Sequence, residues 1–95
     1  MKKQGGKNMK YGVAFYKEEK AYSVFLVDYD AATCGENLED ARNMAKELLE
    51  LYIETEGAKK ETKKEVDLEQ LYFERTGEKA KPEDYETAHL EYIEL

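Results

Sequence analysis

Residues 37–54 read NLEDARNMAKELLELYIE, and this stretch carries the clearest local signal in the chain. Asn37 is a favourable helix N-cap, and Asp40, three residues later, can complete a capping box. Apolar residues recur here at steps of three and four, namely Leu38, Ala41, Ala45, Leu48, Leu49 and Tyr52. The pattern predicts an amphipathic helix over about residues 38–54, with Gly57 as its stop.

Two apolar stretches that precede this helix alternate with the period of two that is typical of strands. The first begins at Tyr11 and the second covers residues 21–29. Four charged residues, 17–20, separate them, so the pair is predicted to form an antiparallel hairpin. A short third strand is predicted around residues 32–34, with Gly35 as its end.

The C-terminal third is predicted to add a second, shorter helix over residues 66–76, with Gly77 as its cap. Residues 85–95 fit either a helix that begins near Pro82 or a strand. The expected fold class is α+β, with a small antiparallel sheet covered on one face by the long helix and with the short helix at the periphery. The residues expected to point inward are Tyr11, Val13, Phe15, Val24, Leu26, Ala41, Ala45, Leu48 and Tyr52.

Length and composition predict a single domain. A chain of 95 residues is too short to bury two separate cores, so residues 9–95 are expected to fold together after a polar tail at residues 1–8. Apolar residues make up 41% of the chain, which is too many for a disordered protein.

The net charge of −7 is concentrated in the last third of the chain. Residues 1–64 hold 12 basic and 12 acidic side chains, whereas residues 65–95 hold 3 basic and 10 acidic ones. Phosphate contacts need cations, so the acidic third is a poor candidate for binding nucleic acid. Its charge would suit a basic protein surface, although an acidic excess can also simply keep a small protein soluble.

The sequence offers no membrane span and no export signal. No stretch approaches the ~20 apolar residues that a transmembrane helix needs, and residues 1–8 lack the apolar core of a signal peptide. Cys34 is the only cysteine, so an intramolecular disulfide is excluded. We therefore expect the protein to reside in the reducing cytoplasm.

The run Tyr-Ser-Val-Phe-Leu-Val-Asp at residues 22–28, followed by Ala-Thr-Cys-Gly-Glu-Asn-Leu-Glu-Asp-Ala at residues 32–41, resembles the HicB antitoxin family. Residues 45–52, Ala-Lys-Glu-Leu-Leu-Glu-Leu-Tyr, are similar to the family's helix, and the resemblance covers about residues 9–56. Two departures stand out: Val27 replaces the family's usual proline, and the turn that follows is one residue shorter and lacks Pro-Gly-Cys.

The resemblance implies a β-β-β-α-β fold, a reduced relative of the RNase H fold without its catalytic metal site, and it favours a strand for the C-terminal residues. It also implies a function: binding and neutralising a small basic HicA-type RNase toxin by occlusion, with no enzymatic activity and no cofactor. The alternative is an orphan HicB-like module, regulatory or RNA-associated, that has no toxin partner. An exposed sheet edge would allow a homodimer.

Many HicB-type proteins carry a C-terminal DNA-binding domain, and the short acidic segment 65–95 leaves no room for one. DNA binding by this chain alone is therefore not expected. The residues expected to contact the partner are acidic or lie in the turn after the second strand: Asp28, Tyr29, Asp30, Glu83 and Asp84.

Three groups of residues are candidates for chemistry. His89 is the only histidine and has no nucleophile or metal ligand near it in sequence, so a packing or surface role is expected. Cys34 lies before a helix but lacks a base close to it. A third group consists of the acids Asp28, Asp30 and Glu36. Carboxylates of this kind could hold the metal ions of a metal-dependent nuclease, which is an alternative function. The simpler interpretation is that these acids favour a turn and the start of a helix.

Overall fold

The computed structural model describes residues 10–58, 65–79, 81 and 88–94. Within these residues the order of elements is β1 (Lys10–Lys17), β2 (Tyr22–Leu26), β3 (Ala32–Gly35), α1 (Leu38–Glu56), α2 (Leu68–Thr76) and β4 (His89–Glu94). The strands form one sheet in the order β3-β2-β1-β4, and every neighbouring pair is antiparallel. The predicted α+β class is confirmed. The expected tail, residues 1–8, lies outside the described residues.

The predicted hairpin is confirmed as the pair β1 and β2. Val13 lies opposite Leu26, and the register continues to Lys17 opposite Tyr22. The charged loop closes with a hydrogen bond from the Glu18 amide to the Ala21 carbonyl at 2.8 Å. Since side chains alternate across a strand, this register places the odd-numbered residues of β1 on one face and the even-numbered ones on the other.

Helix α1 begins and ends where its capping residues predict. The side chain of Asn37 accepts a hydrogen bond from the Asp40 amide at 2.8 Å. The Asp40 carboxylate reaches back to the amide of Glu36 at 3.0 Å, so the reciprocal bond of the cap is made one residue earlier than in a standard capping box. At the other end Gly57 has a φ of 89°, and its amide donates to the Ile53 carbonyl.

The main core lies between α1 and one face of the sheet. Seven of the residues expected to point inward are buried there, whereas Leu48 and Tyr52 are only partly buried at its margin. Leu49 takes the central helical position, with 1% of its surface exposed. The helix approaches β3 closely, because a Cβ atom on Gly35 would stand 2.4 Å from the backbone nitrogen of Ala41.

The expectation that the short helix lies at the periphery is wrong, because α2 covers the opposite face of the sheet. Leu71 is buried there against Ala14, Tyr16 and Phe25. The rings of Tyr16 and Phe25 lie 5.3 Å apart, and each packs against Tyr72 of α2. The hydroxyl of Tyr16 also donates a hydrogen bond to the Leu68 carbonyl. The sheet is therefore covered on both faces, which explains why all residues from Tyr11 to Tyr16 are buried.

The predicted C-terminal strand is confirmed as β4, which pairs with β1 from Lys10 opposite Glu94 to Phe15 opposite His89. Two helices lie between β3 and β4, where the resemblance implied one. None of the helices in the described part of the chain is long and apolar enough to cross a membrane.

Candidate functional site

The turn between β2 and β3 is fastened to the end of α2 by Arg75. The Arg75 Nη2 atom lies 2.9 Å from the Leu26 carbonyl oxygen, 3.1 Å from that of Val27 and 3.4 Å from that of Tyr29. The side chain of Arg75 is only 14% exposed. The positive charge of Arg75 is therefore directed at carbonyl oxygens within the fold. These contacts hold the turn that carries the predicted site residues Asp28 and Asp30 beside α2.

The predicted turn residues differ in their accessibility. The side chain of Asp30 is 97% exposed, and its carboxylate lies 4.0 Å from Arg75 Nε. Asp28 is partly buried. Tyr29 is only 1% exposed, with its hydroxyl donating to the Gly57 carbonyl at 3.1 Å. Tyr29 is therefore a core residue, and its side chain is too deeply buried for the direct partner contact expected of it. Glu83 and Asp84 lie outside the described residues.

An acidic groove runs between the β2–β3 turn and the first two turns of α2. It has a volume of about 230 Å³ and is lined by Val27, Glu65, Val66, Asp67, Gln70, Leu71 and Glu74. Three of these lining residues carry carboxylates and none carries a positive charge. The remaining lining is mainly apolar, so the groove combines a hydrophobic floor with an anionic rim.

The outer face of α2 extends this acidic surface. Phe73 is half exposed, at 50%, and lines a shallow depression together with Asp67, Glu69, Gln70 and Lys79. An exposed aromatic ring among charged residues is the kind of anchor that partner proteins use at an interface. The groove and this depression together form a surface, here called the α2 face, that exposes both negative charge and apolar area.

The acidic side chains at the start of α2 occupy positions that helix capping predicts from the sequence. Asp67 caps α2, and its side chain accepts hydrogen bonds from the amides of Glu69 and Gln70. Negative charge at the first turn of a helix is favoured by the helix dipole. The surplus of acidic residues after position 64 pointed to this surface, but only the packing of α2 against Phe25 brings it beside the turn.

His89 belongs to a polar cluster on the opposite face of the sheet. Its ring stacks on Phe15, with centroids 5.1 Å apart, and its Nε2 donates to Glu91 at 2.9 Å. Arg42 of α1 makes two hydrogen bonds to the same Glu91 carboxylate, at 2.8 and 2.7 Å. The bonds from Arg42, with a smaller contribution from His89, hold the pKa of Glu91 below its usual range. This cluster joins α1 to β4, and each of its members already has a partner.

The described residues hold no group of three or more histidine, cysteine or acidic side chains arranged for a metal ion. Asp30 and Glu36 stand at opposite ends of β3, and four strand residues span ~13 Å. The carboxylates considered for a nuclease are therefore not brought together. Cys34 is exposed on β3, where it lies opposite Ser23 of β2.

Comparison of the chain with protein-family models, with curated proteins and with solved structures finds no match.

Proposed function

We propose that this chain is a non-enzymatic, HicB-like antitoxin that binds a small basic RNase toxin of the HicA type and neutralises it by occlusion. The observation that carries the proposal is the acidic groove beside the β2–β3 turn. Most of its lining comes from the acidic third of the chain, and it lies next to the turn that joins the two segments, 22–28 and 32–41, through which the sequence resembles the HicB family.

The groove matches the side chains that a basic toxin would present. The aliphatic stem of a lysine or arginine can lie on Val27, Val66 and Leu71, while its charged head reaches the carboxylates of Glu65 and Glu74. A single exposed ion pair contributes only ~0.2–1 kcal/mol, so several are needed together. Their combined field would also speed the approach of an oppositely charged partner.

Occlusion follows from competition for the same cations. An RNase that binds RNA must place lysine and arginine side chains on phosphates. If these side chains are held against the α2 face of this chain, they are unavailable to RNA. Neutralisation then requires stoichiometric binding and no chemical step. The exposed ring of Phe73 would supply apolar area next to the charged contacts.

The alternative is an orphan HicB-like module, regulatory or RNA-associated, that has no toxin partner. The acidic groove argues against direct RNA contact by the α2 face, because like charges repel. An orphan role would leave the acidic surface as an aid to solubility.

The experiment is to co-express the chain with the small protein encoded beside it and to purify through a tag on one partner. We expect a stable complex in which the ribonuclease activity of the partner is silenced. The interface is tested by the double reversal Glu65→Lys with Glu74→Lys, which should weaken binding at least about tenfold, equivalent to ~1.4 kcal/mol.

The matched control is Glu19→Lys with Glu50→Lys, which makes the same change in charge at two exposed positions away from the groove. The control should bind like the original chain. A folded chain that retains no partner would favour the orphan module. Equal weakening of binding in both double variants would mean that the net charge matters and the groove does not.

A further inference from the structure

The outer edge of β3 carries backbone groups that have no strand partner within the described parts of the chain, and the register identifies these groups. The Leu26 amide donates to the Ala31 carbonyl at 3.1 Å, so this is a hydrogen-bonded pair. Hydrogen-bonded and non-hydrogen-bonded pairs alternate along an antiparallel ladder. Thr33 therefore bonds to Val24 of β2, whereas the N–H and C=O groups of Ala32 and Cys34 point away from the sheet. Among the described residues, no strand pairs with this edge.

Natural edge strands are protected from pairing with another chain by short length, charges, prolines or bulges. The other edge strand of this sheet, β4, carries Glu91 and Glu94. Strand β3, which reads Ala-Thr-Cys-Gly, is short, with four residues, but its own residues include no charge and no proline.

An exposed apolar stripe on α1 borders the same edge. Met44 and Leu51 are 36% and 52% exposed, and Leu48 between them is partly buried. These three residues line a shallow groove together with Thr33 of β3 and Glu47. Two of the four large apolar side chains that are most exposed in the described residues therefore lie next to the unpaired edge.

We propose that this edge binds a second copy of the chain, so that two β3 strands pair antiparallel and join the two sheets into one of eight strands. Self-complementarity selects this occupant, because the strand edge and the apolar stripe beside it can each meet their own copy across a single twofold axis. Glu47 is the only charged residue among those that line the groove at this edge. A basic partner would be drawn to the acidic groove instead.

The pairing is self-complementary in one register. If Thr33 lies opposite Thr33 of the second copy, Ala32 and Cys34 of each copy face Cys34 and Ala32 of the other. Both are then hydrogen-bonded pairs, so all four outward-pointing backbone groups on each strand find partners. The twofold axis is perpendicular to the sheet, so both α1 helices lie on the same side. Met44, Leu48 and Leu51 of the two copies can then pack across the axis.

Cross-linking tests this register directly. The two Thr33 residues would form a non-hydrogen-bonded pair with Cα atoms ~4.5 Å apart, which lies within the range that a disulfide spans. Thr33→Cys in a Cys34→Ser background should therefore oxidise to a covalent dimer at least tenfold faster than Glu50→Cys in the same background. A rate no faster than that of the Glu50 control would overturn the proposed register.

The oligomeric state tests the interface without new cysteines. Sedimentation equilibrium of the full chain, from ~1 to ~500 μM, should give a mass approaching twice 11.1 kDa at the upper end. Leu51→Lys and Thr33→Lys should each keep the chain monomeric throughout this range, with circular dichroism confirming that the variants are folded. Phe73→Lys, an apolar-to-charged change of the same kind on the α2 face, should dimerise like the original chain.

A chain that stays monomeric at the highest concentration would overturn the proposal, as would a dimer that Phe73→Lys disrupts and Leu51→Lys does not. The inference does not depend on the proposed toxin partner, because all of its measurements use this chain alone. Loss of dimerisation and loss of toxin binding can therefore be observed separately.

Discussion

The guanidinium group of Arg75, in the last turn of α2, lies 2.9 Å from the carbonyl oxygen of Leu26 at the end of β2. Forty-nine residues separate the two in sequence. The same nitrogen also faces the carbonyl of Val27 at 3.1 Å, so one side chain satisfies consecutive carbonyls where the strand ends. This contact joins the two walls of the acidic groove.

Replacing Arg75 by methionine should lower the free energy of unfolding by ~2 kcal/mol, because the carbonyls lose a charged donor in a partly buried place. Urea denaturation measures this loss. Arg42→Met is the comparison, because Arg42 is an exposed arginine paired with a side chain, so its loss should lower the free energy of unfolding by less than the loss of Arg75 does. Equal losses for both variants would contradict the role of Arg75 as the fastener of the turn.

Replacing Gly35 by alanine should destabilise the chain by ~3 kcal/mol, because the new methyl group would stand 2.4 Å from the backbone of Ala41 and α1 would have to shift. Cys34→Ala, a change at the neighbouring exposed residue, should stay within ~0.5 kcal/mol of the original chain. Urea midpoints of the two variants provide the measurement. A neutral Gly35→Ala variant would mean that α1 does not approach β3 so closely.

Acid should weaken the fold partly through Glu91. Its bonds to Arg42 hold the pKa of Glu91 in the folded state below the value in the unfolded chain. The contribution to stability is therefore complete above the unfolded pKa, near ~4.3, and is lost as the pH falls through the lower, folded pKa. Glu91→Gln should be less stable than the original chain at pH 7, and the gap should narrow toward pH ~3. A gap that is constant with pH would contradict this linkage.

Removing the hydroxyl of Tyr16 should loosen α2 in particular. Tyr16→Phe loses the hydrogen bond to the Leu68 carbonyl, a cost of ~1 kcal/mol. Burial raises the pKa of Tyr16 well above its usual range, so the hydroxyl is protonated and can donate at neutral pH. Hydrogen exchange should accelerate for the amides of α2 in this variant. In Tyr29→Phe, which loses the bond to Gly57, exchange should instead accelerate at the C-terminal end of α1.

The local elements could be predicted from the sequence because their causes are local. The cap at Asn37, the glycine after Glu56 and the three- and four-residue spacing of apolar residues determine α1 without reference to any other part of the chain. The alternation around Tyr11 and the charged residues 17–20 likewise determine the first hairpin. These features depend on residues only a few positions apart, so the sequence pattern alone indicates them.

The candidate site could be predicted only in part. The acidic surplus after position 64 and the exposed Asp30 were visible in the sequence, but the burial of Tyr29 was not. A tyrosine between two aspartates looks like a surface residue. Its ring lies inside because the turn folds back over the core. There the ring packs against those of Tyr11 and Tyr52, at centroid distances of 6.2 and 5.8 Å.

The sequence by itself therefore determined the class of the fold, the extent of α1, the hairpin and the location of the excess negative charge. Only the tertiary structure decided that α2 covers the second face of the sheet, that the groove forms beside the turn, and that none of the described strands pairs with the outer edge of β3. These outcomes depend on contacts such as Phe25 with Tyr72 and Arg75 with Leu26. They join residues more than forty positions apart, and no periodicity or capping rule encodes such pairs, because they are selected by the packing of whole surfaces.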